Sequence, residues 1–242
     1  MKLITLNIWG GHVHEQLRAF IKQHADTDIF CFQEIYKMAA HKISTDDRWV
    51  NLDSFSEFED LLPNHTGFFR PVVNNAYGIA LFIKNEFTFL GEGEICIHNA
   101  PDYSGMGPAH SRNLQWIRVQ SNSKTYTIMN VHGLWNGLGK ADSPDRIDQS
   151  VNIRNFMDAQ DTPIILCGDF NARPDTKSIA LLAHEMNNLI QTHNITSTRT
   201  TLYPKEEQFA DYVFTSPDIK VHTFEVLHDV VSDHAPLMLD FD

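Results

Sequence analysis

Short apolar runs dense in β-branched and aromatic residues recur along nearly the whole chain, and they constrain its fold more than any other feature. Such runs read as buried strands, because these side chains pack well on a pleated surface and the runs are too short for buried helices. The clearest cover residues 2–9, 28–33, 65–70, 77–84, 112–120, 125–132, 163–168, 210–215, 219–227 and 235–241. Helical periodicity fills some of the gaps. Residues 14–24 carry Leu17, Phe20 and Ile21 on one face, and residues 54–62 bring Phe55, Phe58, Leu61 and Leu62 together. Ser143-Pro144 supplies an N-cap and a first-turn proline for a helix over 144–159. Residues 176–187 form another, with Ile179, Leu182, Ala183 and Met186 apolar, and residues 35–42 are a further helical candidate.

Two segments share an order of elements. Residues 2–34 run strand, helix, strand, and residues 125–171 run strand, loop, helix, strand. Two similar halves, each a layer of strands covered by helices, predict an α/β fold packed as a sandwich. No linker-like or low-complexity tract interrupts the chain, so residues 1–242 are expected to form a single domain. With 42% hydrophobic and 21% charged residues, that domain can bury a large core. Three cysteines cannot all pair within one chain, and Cys31 and Cys167 sit inside apolar runs, which predicts buried free thiols. No signal-peptide pattern is visible and no apolar run approaches the roughly 18 residues of a membrane span. A cytoplasmic monomer is the expectation. The net charge of −12 argues against a long electrostatic grip on nucleic acid, unless part of the acidity belongs to a metal site.

Several buried strands end on residues able to bind a metal or move a proton. The run over 2–9 contains Asn7, the run over 28–33 is followed by Glu34, that over 125–132 ends on His132, and that over 163–168 is followed by Asp169. Buried strands ordinarily finish in turn formers, so carboxylates and imidazoles in these places are informative. Asp211 and Asp233-His234 stand instead before or at the start of late strands. If those strands run antiparallel to the earlier ones, one rim collects every one of these groups, where open α/β sheets bind ligands. Carboxylates crowded in one cleft call for a cation. An oxygen-rich set with no cysteine cluster favours Mg²⁺ or Mn²⁺, and Mg²⁺ in turn points to phosphoryl chemistry.

Thr5-Leu6-Asn7, Phe32-Gln33-Glu34, Asn130-Val131-His132-Gly133, Gly168-Asp169-Phe170-Asn171, Ala210-Asp211-Tyr212-Val213-Phe214 and Ser232-Asp233-His234 occur in that order. Together they resemble the endonuclease/exonuclease/phosphatase superfamily, also described as deoxyribonuclease I-like. The resemblance implies a four-layered α/β sandwich, two packed mixed β-sheets flanked by helices. It also implies hydrolysis of a phosphate ester by an in-line water with Mg²⁺ or Mn²⁺ as cofactor. By resemblance, Glu34 is the main metal ligand, with Asn7 beside it and Asp233 at a second or outer position. Asp169 orients or deprotonates the water, and Asn171 and His132 bind the non-bridging oxygens. His234, held by Asp211, contacts the phosphate or acts as the base.

Taken singly, each of these residues has an ordinary structural reading. Gly-Asp and Asn are common turn formers, and Glu34 would suit the start of a helix over 35–42. The ordered set is what carries weight. The resemblance implies that Arg112 clamps phosphate and that Arg146 and Gln149 brace the loop after His132; Trp135, in that loop, is expected to bind substrate as well. Substrate choice is assigned to loops 98–111, with Tyr103, and 133–143, with Trp135, Asn136 and Lys140. The abasic-site endonucleases of the superfamily have a lysine just after Gln-Glu-Thr, whereas here Ile35-Tyr36 displaces Lys37, which weakens that reading. The leading expectation is a phosphodiesterase or nuclease acting on a phosphate ester, nucleic acid among the candidates. A lipid or inositol phosphate hydrolase, sphingomyelinase- or inositol-phosphatase-like, is the alternative. A non-catalytic binding module is disfavoured because the catalytic set is complete.

Overall fold

A computed structural model describes residues 1–101, 107, 109–121 and 124–242; Tyr103 lies outside the described residues. The apolar runs assemble into two six-stranded sheets. In the first, β1 (Lys2–Asn7), β2 (Ile29–Tyr36), β3 (His65–Val73), β4 (Tyr77–Lys84), β11 (Val221–Val226) and β12 (Leu237–Phe241) lie in the order β11-β12-β1-β2-β4-β3. In the second, β5 (Thr88–His98), β6 (Arg112–Ser121), β7 (Lys124–His132), β8 (Ile164–Asp169), β9 (Asn187–Asn188) and β10 (Asp211–Thr215) lie in the order β5-β6-β7-β8-β10-β9. The parallel pairs are β1 with β2 and β7 with β8, the two segments whose element order matched in sequence, and every other pairing is antiparallel.

Strand alternation sorts the side chains into layers. Leu3, Cys31 and Leu81 of the first sheet share one buried cluster with Val131 and Cys167 of the second. Their neighbours Ile4, Leu6, Phe30, Phe32 and Phe82 point the other way, toward Leu17, Phe20 and Ile21 of α1 (His14–Gln23) and Phe55 and Phe58 of α2 (Ser54–Leu61). On the far side, α3 (Pro144–Asp158) and α4 (Lys177–Ala183) cover the second sheet with Ile153, Met157, Ile179 and Leu182. The result is helix, sheet, sheet, helix. Both faces of each sheet are covered, which is why the strands read as continuous apolar runs. The thiols of Cys31 and Cys167 meet in the inter-sheet core, where burial pushes Cys31 well up.

A polar clamp crosses the sandwich. Gln33 Nε2 donates to Asn130 Oδ1 at 2.7 Å, and Asn130 Nδ2 donates to the carbonyls of Phe32 and Ala80, both at 3.1 Å. Buried amides are costly without partners, so these bonds hold the two sheets in one relative register. The motif residues Gln33 and Asn130 therefore serve the frame on which the rim is built.

Some expectations need correction. Residues 35–42 are not helical, because β2 continues through Tyr36, paired with Tyr77. The helix expected over 176–187 stops at Ala183, and α5 (Leu189–Thr192) follows the short β9. Strand β5 was not anticipated. Its Gly91 and Gly93 interrupt the apolar pattern, and both lie against the Trp116 ring, where a Cβ at Gly93 would come within 3.1 Å of the indole. Among the described residues no helix is long and apolar enough to cross a membrane.

Candidate active site

Pairing register does much of the placement. His132 of β7 stands beside Asp169 of β8, and Asp169 beside Asp211 of β10, so adjacent strands present the three side chains in one row at the rim. The antiparallel entry of β10 realises the condition that the sequence left open. In the first sheet, Asn7 ends β1 opposite Gln33. Glu34 is not a strand terminus. It sits at a bulge within β2, with φ of 62°, where the register against β4 shifts between Gln33 and Ile35. Beyond the bulge Ile35 pairs with Gly78 of β4, which has to be glycine because of β3: a Cβ there would lie 2.1 Å from the Arg70 carbonyl. Bulges re-aim side chains, and this one turns Glu34 out of the ladder and into the cleft.

Asp169 is the centre. Asn7 Nδ2 reaches across from the first sheet to its Oδ2 at 3.0 Å and to Glu34 Oε1 at 3.1 Å, while the Asn171 backbone N–H donates to its Oδ1 at 2.8 Å. Burial alone would raise the Asp169 carboxyl, but the positive fields of His234, Lys140 and Arg199 hold it below the ordinary carboxylate range. His234 Nδ1 lies 2.8 Å and 2.9 Å from the two Asp211 oxygens, and its Nε2 is 3.6 Å from Asp169 Oδ2. Thr198 Oγ1 donates to Asp211 Oδ2 at 3.0 Å and fixes that carboxylate. Burial opposes protonation of His234, yet Asp211 outweighs it and the imidazole is raised above its ordinary value. His132 goes the other way: burial, then Arg112, push it well down, so it is neutral. Its Nε2 is 3.8 Å from Asp169 and 3.9 Å from Glu34.

Asn171 adopts a left-handed conformation with φ of 51°, and its Nδ2 donates to the Gly133 carbonyl at 3.3 Å. Asp233 Oδ2 accepts from Arg199 Nη1 at 3.2 Å. Arg112 is buried at the cleft wall, where desolvation lowers its guanidinium against the fields of Tyr77, Asp169 and Glu34. Trp135 also lines the cleft, which has a volume of about 430 Å³. The bracing expected of α3 is present. Gln149 Oε1 accepts from the Leu134 N–H at 2.8 Å, and the buried Arg146 donates to the carbonyls of Leu134, Gly139 and Ala141.

The cleft also contains residues that sequence reasoning did not assign to it, Arg199, Tyr203, Lys205, Tyr77, Tyr36 and Trp9, whereas His110 comes from the 98–111 loop expected there. Arg199, Tyr203 and Lys205 come from an irregular stretch before β10 whose anchor is the isolated pairing of Arg199 with His234. No local pattern marks such a stretch. His12 and His14 do not share a site, since His12 Nε2 meets Asp47 at 2.7 Å and His14 Nε2 meets Glu57 at 3.0 Å.

Two groupings could hold a cation. Asp169, Asp211 and His234 offer ligand atoms within 4.8 Å of one another. His234 and Asp211 are hydrogen-bonded to each other, however, which leaves this trio less suited to a cation. Glu34 fits a cation more closely. Burial raises its carboxyl, Asn7 pulls it back, and the nearby carboxylates of Asp233 and Asp169 push it up again. Like charges of this kind, with oxygen donors and partial access to the cleft, suit a hard divalent ion.

The sequence model of the Endonuclease/Exonuclease/phosphatase family matches residues 4–234. A search of curated proteins finds no match. Solved structures give extensive matches. A mannosyl-6-phosphatase from Bacteroides thetaiotaomicron has a TM-score of 0.78 at 17% identity, covering 100% of this chain and 99% of that one. The human Nocturnin catalytic domain with bound sulfate has a TM-score of 0.71 at 20% identity, covering 100% and 93%. A humanized D. rerio TDP2 has a TM-score of 0.74 at 14% identity, covering 100% and 98%. At these identities the likeness is one of fold.

Proposed function

Because the chain belongs to the endonuclease/exonuclease/phosphatase family, whose members are phosphoesterases, we propose that it is a Mg²⁺- or Mn²⁺-dependent phosphodiesterase or nuclease that hydrolyses its substrate at Asp169. The observation that carries this reading is the Asp169 carboxylate. It is held from both sheets, kept ionised, and backed by the His234–Asp211 pair.

Glu34 and Asp233 would hold the metal; Asn7, whose Oδ1 accepts from the Trp9 N–H while its Nδ2 donates to Glu34, would join them only by turning its amide oxygen to the ion. When bound, such an ion supplies charge neutralisation of phosphate oxygens and lowers the barrier to attack by water. Asp169 orients the attacking water by accepting its hydrogen bond, and its low basicity means that it accepts a proton only as attack nears completion. His234 donates Nδ1–H to Asp211, which fixes the ring and leaves Nε2 facing the cleft. With its pKa raised, His234 brings positive charge to a non-bridging oxygen as negative charge develops there. Neutral His132 adds a hydrogen bond rather than a charge, and Arg112 adds a fixed charge from the cleft wall. Asn171 joins them if its amide exchanges the Gly133 carbonyl for the phosphate. Trp135 is assigned to the part of the substrate beyond the phosphate.

The test is a substrate panel with Mg²⁺, Mn²⁺ and EDTA. It contains single- and double-stranded DNA, RNA, bis-p-nitrophenyl phosphate, inositol phosphates, sphingomyelin and, because one structural neighbour is a mannosyl-6-phosphatase, sugar phosphates. Turnover that needs the metal and is lost in Asp169→Ala and His234→Ala is expected. Activity that persists in EDTA, or in both variants, would refute the assignment.

A further inference from the structure

The wall of the cleft built by the second sheet is more basic than hydrolysis of a single phosphate requires. Lys140 lies in the loop after β7 and is only 2% exposed, yet it lines the cleft. Its Nζ donates to the Phe209 carbonyl at 3.0 Å, using one of three donors, and stands 5.6 Å from the Tyr203 ring. Lys205 is exposed, with its Nζ 5.3 Å over the Trp135 ring. Among the described residues no carboxylate lies within ion-pair distance of either ammonium. Arg199 differs, since Asp233 compensates it at 3.2 Å.

Burying an ammonium with no ion-pair partner is costly, and only the more distant carboxylates of Asp169, Asp211 and Glu207 offset that cost for Lys140. Burial pulls Lys140 down to about 8, so the charge is retained at neutral pH against a desolvation penalty. Such an arrangement is stabilised when an anion enters. The surrounding protein carries a net charge of −12 and would not concentrate cations here by composition alone. The scissile phosphate already has His234, His132 and Arg112 around Asp169.

We propose that Lys140 and Lys205, set against Trp135 and Tyr203, form a subsite for a second phosphate of the substrate, distinct from the one that is hydrolysed. This rests on the phosphoesterase reading above and narrows it to esters that carry two phosphoryl groups. The aromatic rings give the linking part of the molecule a face to pack on. The second phosphate belongs either to a small bisphosphate or to the neighbouring position of a polynucleotide.

Calorimetric binding to the intact protein with Mg²⁺ separates this from the hydrolytic reading, because it needs no turnover. The probes are thymidine 5′-monophosphate, thymidine 3′,5′-bisphosphate and a short oligothymidylate. The doubly phosphorylated probe or the oligonucleotide should bind about tenfold or more tightly than the monophosphate, the worth of one charge-assisted hydrogen bond. Lys205→Ala, at an exposed position, and Lys140→Met, which keeps the packed stem, should each erase most of that advantage. A gain confined to the bisphosphate identifies a small substrate, and an equal or larger gain with the oligonucleotide identifies a polymer. In turnover, the same preference should emerge in KM when thymidine 5′-p-nitrophenyl phosphate is compared with its 3′-phosphorylated form. Equal affinities for all three probes, or an advantage untouched in both variants, would overturn the subsite even if every ester is hydrolysed. Tight, lysine-dependent binding without hydrolysis would uphold the subsite and sink the enzyme reading.

Discussion

Gly133, the first residue after β7 and His132, packs against the segment that follows Asp169 of β8 and leads to Asn171. Its N–H donates to the Asp169 carbonyl at 2.6 Å. A Cβ at this position would lie 2.5 Å from the Phe170 carbonyl oxygen, 2.7 Å from its carbon and 2.9 Å from Phe170 Cα. All three are backbone atoms, so no side chain can swing aside. Cβ contacts below 3.0 Å are essentially never observed, so the loops must part by at least the 0.5 Å between 2.5 and 3.0 Å. Overpacking of this kind costs about 1–3 kcal/mol, which for a chain of this size lowers Tm by roughly 2–12 °C. Displacements near 1 Å in a catalytic constellation cost on the order of 10²-fold, so half that displacement predicts about a tenfold loss. The assay pairs thermal denaturation of Gly133→Ala with kcat/KM on bis-p-nitrophenyl phosphate, measured well below the melting range. Gly137→Ala is the control, because nothing lies within 4 Å of a Cβ there and its φ of 77° confines the penalty to local strain, about 1 kcal/mol. If Gly133→Ala matched Gly137→Ala in both melting and turnover, the idea that this contact sets the spacing of the site would be wrong.

Other perturbations probe the His234 pair, the 134–141 loop and a buried histidine. Asp211→Asn should keep the fold and an acceptor for the His234 Nδ1–H but remove the charge that raises His234; a loss in kcat of roughly 10²-fold or more, with a lower apparent pKa in the pH profile, is expected. Arg146→Ala should loosen the 134–141 loop and cost about 2–4 kcal/mol, read as a lower urea midpoint and faster proteolysis there, because carbonyls now bonded to the buried guanidinium lose their partner. His65 should make stability fall with acidity. Its Nε2 is bonded to the Thr27 carbonyl, its buried Nδ1 lacks an acceptor, and burial depresses its pKa. The unfolded chain therefore takes up a proton before the folded one, and this contribution, full above about pH 6.5, is lost as pH falls toward the folded value. Urea midpoints at pH 7.5 and 5.5 should show a smaller pH difference in His65→Gln than in the parent chain, and an unchanged difference would remove His65 from the account.

Sequence alone was enough for the strands of the core, the two repeated strand–helix–strand units and the residues that end or begin strands on the rim. The physical reason is that burial on both faces leaves an unbroken apolar run, and a charged group at its end has to be explained by what lies there. Residues such as Asn7, His132, Asp169 and Asp211 are legible because their position along a strand specifies their height in the sheet. Glu34 was legible as a residue but not in its geometry, since the bulge exists only in the register of β2 against β4. Strand β5 was hidden by glycines that make sense only against the Trp116 ring. Arg199, Tyr203 and Lys205 lie in a stretch with no periodicity, and only its pairing with His234 brings them into the cleft. Tertiary structure therefore decided the electrostatics of the site. It determined which imidazole is neutral and which is raised, and it left Lys140 and Lys205 without ion-pair partners, because burial and the fields of distant residues act through space rather than along the chain.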